Sequence, residues 1–124
     1  MPASAPRALH RPGERGVAHV LIADALADGV RTAARVASLS TTDVGSLART
    51  LRLPPWKVKK AQAQARGWTI DALQQAIGVT ATLNADVKGA AASPDYALER
   101  AVRRIVAIRA ESARGRDARV RGGR

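Results

Sequence analysis

Apolar residues recur along this chain at helical spacing, and no stretch alternates as a half-buried strand would. Between Val17 and Ser38, Ile22, Leu26, Ala33 and Ala37 fall on one helical face, widened by Val20, Leu21, Val30 and Val36. Gly29 interrupts that pattern without ending it. Thr41 or Thr42 is placed to cap a second helix, with Asp43 in its first turn and Val44, Leu47 and Leu51 on one face. That helix is expected to stop at Leu53, before the prolines. Further on, Thr69 caps a segment whose apolar face is Ile70, Leu73, Ile77, Leu83 and Val87, and Gly89 supplies its stop. Gly78 and the β-branched Val79, Thr80 and Thr82 weaken its middle, where a kink or fray is expected. Ser93 as cap and Pro94 in the first position open a last helix, with Leu98, Val102, Ile105 and Ile108 as its buried face. Ala101 and Val106 thicken that face, while Glu99, Arg100, Arg103 and Arg104 point outward.

One stretch carries more information than the rest. Leu53 to Trp68 reads LPPWKVKKAQAQARGW and holds both tryptophans of a chain that has no phenylalanine and one tyrosine. Pro54 and Pro55 end one helix and start another, because proline fixes its own φ, lacks an N–H and pushes the preceding residue out of the helical region. The residues from Trp56 to Arg66 form helices well apart from Val58, and Gly67 stands where a helix terminates. A short basic helix with an aromatic residue near each end is predicted. The pattern is therefore an all-α bundle of about five helices with short connections.

Composition supports that class and charge sets its boundaries. Hydrophobic residues make up 46% of the 124 but aromatics only 2%. The core must then be built from Leu, Ile, Val and Ala, which favours packed helices over a sheet. The formal net charge is +11. Residues 1–16 contribute three arginines against one glutamate, and residues 109–124 six arginines against two acids, so more than half of the excess lies in the ends. Proline, glycine and arginine there predict disorder over 1–16 and 111–124, leaving 17–110 as one helical domain. Basic charge of this kind attracts polyanions without specifying one.

Catalytic material is sparse. Without cysteine there are no disulfides, thiolate metal sites or thiol nucleophiles. His10 and His19 are the only histidines, and neither has a carboxylate at a spacing that predicts a triad or a zinc site. Asp24 and Asp28 share a helical face with Arg31 further along, an arrangement read as surface pairing. There is no Walker-type loop and no GxGxxG followed by an acid. No cofactor is implied. No apolar run approaches the roughly 18 residues needed to cross a bilayer, and the opening has no apolar segment of a signal peptide. A soluble cytoplasmic protein that does not associate with membranes is the expectation.

Two readings of the basic helix stay open. Leu47, Ala48 and Leu51, the turn at Leu53 to Pro55, and Lys57, Lys59 and Lys60 near the start of the next helix imitate a helix-turn-helix that reads DNA. Alternatively Trp56 and Trp68 are anchors of a core or an interface and the lysines are a solvated face.

The string LPPWKVKKAQAQARGW at 53–68, followed by ALQQAI at 72–77, NADVKGAA at 84–91 and YALERAV at 96–102, resembles the C-terminal collar domain of the DNA polymerase III delta subunit in its actinobacterial form. The likeness runs from about Val20 to Arg109. Members of that family are non-catalytic clamp-loader subunits of the DNA polymerase III holoenzyme. Two AAA+-like domains precede a helical collar that joins a ring of five subunits. The resemblance implies a truncated delta-like subunit, covering roughly the last third, that assembles with gamma/tau-type and delta-prime-type subunits and meets DNA through the complex. By charge and position, Lys57, Lys59, Lys60, Arg66, Arg100, Arg103 and Arg104 are candidates for contacts with partner subunits or nucleic acid.

Overall fold

The structure is a computed structural model that describes residues 12–89 and 93–122, with side chains described over 18–89 and 93–115. The expected disorder of the first 11 residues, His10, and residues 90–92 and 123–124 lie outside the described residues. Among the described residues there are five helices: α1 (Pro12–Ser38), α2 (Val44–Leu51), α3 (Pro55–Ala65), α4 (Ile70–Lys88) and α5 (Pro94–Gly122). Among the described residues there is no strand. The all-α bundle expected from the apolar spacing is what forms.

Helix ends follow local chemistry, with four shifts. Asp43, and not Thr41 or Thr42, caps α2: its backbone is extended and its carboxylate accepts the Ser46 N–H at 2.9 Å. Thr41 supports the cap instead, its hydroxyl accepting the Asp43 N–H at 3.1 Å. α2 ends at Leu51, two residues earlier than expected. Arg52 turns left-handed at φ 57°, and the Leu53 N–H reaches back to the Ala48 carbonyl at 3.0 Å, a pattern that closes helix ends by satisfying an orphan carbonyl. Pro54 and Pro55 then start α3 in the manner expected, Pro54 extended and Pro55 at the first helical position. Thr69 caps α4 by accepting the Ala72 N–H, and Ser93 caps α5 by accepting the Tyr96 N–H. Gly78 does not break α4, which runs unbroken from Ile70 to Lys88. At the outer boundaries, α1 begins at Pro12 rather than 17, and helical backbone continues through Gly122 beyond the boundary at 110. The extension of α5 is rich in arginine, a good helix former, which offsets the internal Gly115.

The three long helices pack side by side. α4 runs antiparallel to α1, since Lys88 pairs with Asp24 while Leu73, near the other end of α4, shares a cleft with Val30 and Ala33. It runs antiparallel to α5 as well: Leu83 clusters with Ala101, and Thr69 meets Ser112. The core between them is Ala23, Leu83 and Ala101, flanked by Leu26, Val79, Val87, Ala97 and Leu98. A second core sits where α2 and α3 close over the C-terminal half of α1, built from Val36, Leu47, Val58 and Ala61. α2 and α3 are thus a small cap, and α1, α4 and α5 the body.

The buried stripes correct the apolar faces read from periodicity. α1 turns Ala23, Ala27, Ala33 and Val36 inward, while Ile22 is 49% exposed and Ala37 is exposed. α4 buries Ala72, Leu73, Ala76, Thr80 and Leu83 and leaves Ile70 outside. α5 buries Ala101, Ile108 and Ser112, with Val102 and Val106 exposed. The cause is close approach: alanines on one helix admit the large leucines of its neighbour, so small residues mark the contact and branched ones fall to its edge. The two buried threonines in these stripes are satisfied within their own helices. Thr32 and Thr80 hydroxyls donate to the Asp28 and Ile77 carbonyls, each at 2.8 Å.

Candidate functional site

The proline turn and basic helix α3 place the two tryptophans differently. Trp56, in the first turn of α3, is 64% exposed and is not a core residue. Trp68, beyond the end of α3, is half-buried in a cleft of about 420 Å³ with Leu26, Val30, Ala33, Leu73 and Arg109. Its position follows from the turn between α3 and α4. The Trp68 N–H bonds the Ala65 carbonyl at 3.1 Å, and Gly67 takes φ 83°, a conformation that side chains other than glycine's disfavour. A Cβ at Gly67 would lie 2.6 Å from Nη2 of Arg109. That guanidinium donates to the Arg66 carbonyl at 3.0 Å, and one turn further along α5 the Ser112 hydroxyl accepts the Thr69 N–H at 2.7 Å. Two side chains of α5 therefore hold the α3–α4 turn. Nothing in the local sequence around 66–69 points to residues 109 and 112, and the pairing was not legible beforehand.

The basic residues are divided by the fold. Lys57 faces α1 and pairs with Asp28 at 3.4 Å, so it is not available at the readout position that a helix-turn-helix would give it. Lys59 and Lys60 are exposed, and among the described residues neither has an ion-pair partner. Arg66 ends α3, with its carbonyl engaged by Arg109. On α5, Arg103 pairs with Glu99 at 2.6 Å, and the Arg100 guanidinium lies 6.0 Å from the centroid of the Tyr96 ring. Arg104 and Arg100 line a cleft between α4 and α5 with Gln75 and Asp86. The candidate contact residues thus form two separate groups, one on α3 and one on α5.

Asp24 and Asp28 do pair on the surface, but with Lys88 and Lys57 of other helices and not with Arg31. Helix packing supplies closer cations than the same helix can. His19 also finds a carboxylate that sequence spacing could not show: its Nε2 lies 2.5 Å from Oδ1 of Asp95, joining α1 to the first turn of α5. Hydrolytic chemistry needs a reacting group or a metal beside such a pair. Among the described residues no three His, Cys, Asp or Glu side chains gather as metal ligands. None of the described helices is long and apolar enough to cross a membrane.

Uncovered apolar residues complete the surface. Ala18, Leu21, Ile22 and Ala25 of α1 are all exposed at spacings of three and four, one helical stripe, with Leu21 62% exposed. Comparison of the chain with protein families, with curated proteins and with solved structures finds no match.

Proposed function

We propose that this chain carries a DNA polymerase III delta-like collar domain, for assembling the cytoplasmic clamp loader in DNA replication. By itself it is non-catalytic. The reading rests on the resemblance of the segments 53–68, 72–77, 84–91 and 96–102 to that family. The structural observation that best supports it is the bare stripe Ala18, Leu21, Ile22 and Ala25 on α1. A bundle that leaves two large aliphatic side chains of one helix face in water gains by having a neighbour cover them. A subunit whose work is to sit in a ring of others has such faces by construction.

Mixing the chain with gamma/tau-type and delta-prime-type subunits at micromolar concentration should give a complex that co-elutes, with no opening of the clamp by this chain alone. Replacing Leu21 and Ile22 together by Asp should weaken the complex by about tenfold or more, since uncovered aliphatics at an interface centre carry much of its affinity. The helical content of the chain should not change. No association, or association indifferent to L21D/I22D, would count against the proposal.

A second reading, a small helix-turn-helix DNA-binding protein, draws on the succession α2, turn and α3 with Lys59 and Lys60 exposed. It differs in requiring sequence-specific binding of duplex DNA.

A further inference from the structure

We infer that the cleft beside Trp68 is a binding site for an apolar monocarboxylate, a molecule with the size and chemistry of a medium-chain fatty acid. Its chain lies along α1 beside the indole, and its carboxylate sits on Arg109. The inference goes beyond the collar reading and needs no partner subunit.

Four helices meet around this cleft. One face of α1, with Ala25, Leu26, Gly29, Val30 and Ala33, is its long wall, and Leu73 of α4, Trp68, the end of α3 and Arg109 of α5 close the rest. The wall deepens from exposed Ala25 to Ala33, which is only 3% exposed. Midway along it, a Cβ added at Gly29 would meet nothing within 4 Å. Glycine weakens a helix interior relative to alanine, and no neighbouring side chain presses on this one to require it. The packing therefore leaves the space beside Gly29 open. The cleft holds about 420 Å³, within the range of small-molecule sites. From Ala25 to Ala33 the wall runs about 12 Å, the length of an extended chain of about ten carbons.

Charge decides which apolar molecule fits. Apart from the indole N–H, the polar side chains of the lining are Gln64 and Arg109, and no acid is among them. Arg109 is exposed at the mouth and is held there in advance. Its Nη2 donates to the Arg66 carbonyl at 3.0 Å, and the bare backbone of Gly67 gives the guanidinium its place, since a Cβ there would lie 2.6 Å from the same nitrogen. A guanidinium carries a fork of N–H donors beyond the one used here, and among the described residues this one is in no ion pair. The remaining donors suit the two oxygens of a carboxylate. An apolar cation meets like charge at the mouth, and a neutral alcohol leaves that charge unpaired. A polyanion gains little, because the lining offers one cation.

Trp56→Phe leaves Trp68 as the one indole of the full chain, and its emission during titration with decanoate tests the inference. One decanoate per chain should bind, with a saturable change in emission and a Kd below about 1 mM. Gly29→Leu in the same background should fill the cleft and abolish the change, while raising the urea midpoint because leucine is the better helix former. Arg109→Gln should weaken binding about tenfold or more, as loss of a charge-assisted hydrogen bond does. Decanol should bind the unsubstituted cleft no better than decanoate binds that variant. Four results would each overturn the inference: no saturable change, decanol bound as tightly as decanoate, binding undiminished in Gly29→Leu, or several decanoates per chain bound regardless of both substitutions, the mark of general attraction to a net charge of +11.

Discussion

Asp43 shows what one side chain does at a helix start. Its carboxylate accepts the Ser46 N–H at 2.9 Å. The Ser46 backbone bond, then its hydroxyl and the nearby Arg49 charge, hold the carboxyl below its ordinary value of 3.8, against a small opposing effect of desolvation. Because the folded carboxyl binds its proton less readily than the unfolded one, Asp43 contributes stability above the ordinary value. That contribution is lost as pH falls through the lowered folded value. Asp43→Asn keeps a capping oxygen and removes the titration. In urea unfolding, the parent chain should exceed the variant at about pH 7, and the gap should shrink at about pH 3. A gap independent of pH would show that the charge of Asp43 does not stabilise α2. The sequence made a cap in this region legible but assigned it to the threonines, since Thr and Asp cap comparably well and only the extended backbone at residue 43 distinguishes them.

At the scale of the element, α2 ends under strain. Arg52 holds φ 57°, the one positive value among the non-glycine residues described. A side chain in that region costs about 1–2 kcal/mol because its Cβ crowds the following carbonyl. Arg52→Gly should therefore stabilise the chain by roughly 1 kcal/mol, after the extra freedom of glycine in the unfolded state is set against the relief. A higher urea midpoint with an unchanged slope is the expected result, and a lower midpoint would mean that the Arg52 side chain supports the turn. Helix existence was legible because caps and prolines act locally: Thr69, Ser93 and Pro94 all stand where the pattern put them. Which stripe faces inward was not. In α1, alanine occupies both the buried positions 23 and 27 and the exposed positions 18 and 25, so the sequence alone carries no contrast between them. The choice falls to the partner, through Leu83 of α4. The same limit hid the exposure of Trp56 and the pairing of Lys57 with Asp28, which depend on how α3 lies on α1.

For the whole molecule, the contact between Ser112 and Thr69 matters beyond its size. It spans 43 positions and ties the last helix to the start of α4. Ser112→Ala would leave the partly buried Thr69 N–H without its acceptor, a loss of about 1–3 kcal/mol. Urea unfolding should register that loss, and hydrogen exchange should speed up at the Thr69 amide more than in the middle of α4. Uniformly faster exchange would mean that the contact adds stability without local closure. Arg109 reinforces the same junction from one turn away, through the Arg66 carbonyl. Both α5 side chains of this clasp come late in the chain, and that has a consequence for biosynthesis. While the ribosome is still making α5, α2 and α4 have their local caps, but the side chains that pin the α3–α4 turn are still missing. Trp68 and the α1–α4 seam then remain open to solvent and to chaperones until Ser112 emerges. A nascent chain stalled before that residue should be cleaved by protease near Gly67, and one stalled well after it should resist.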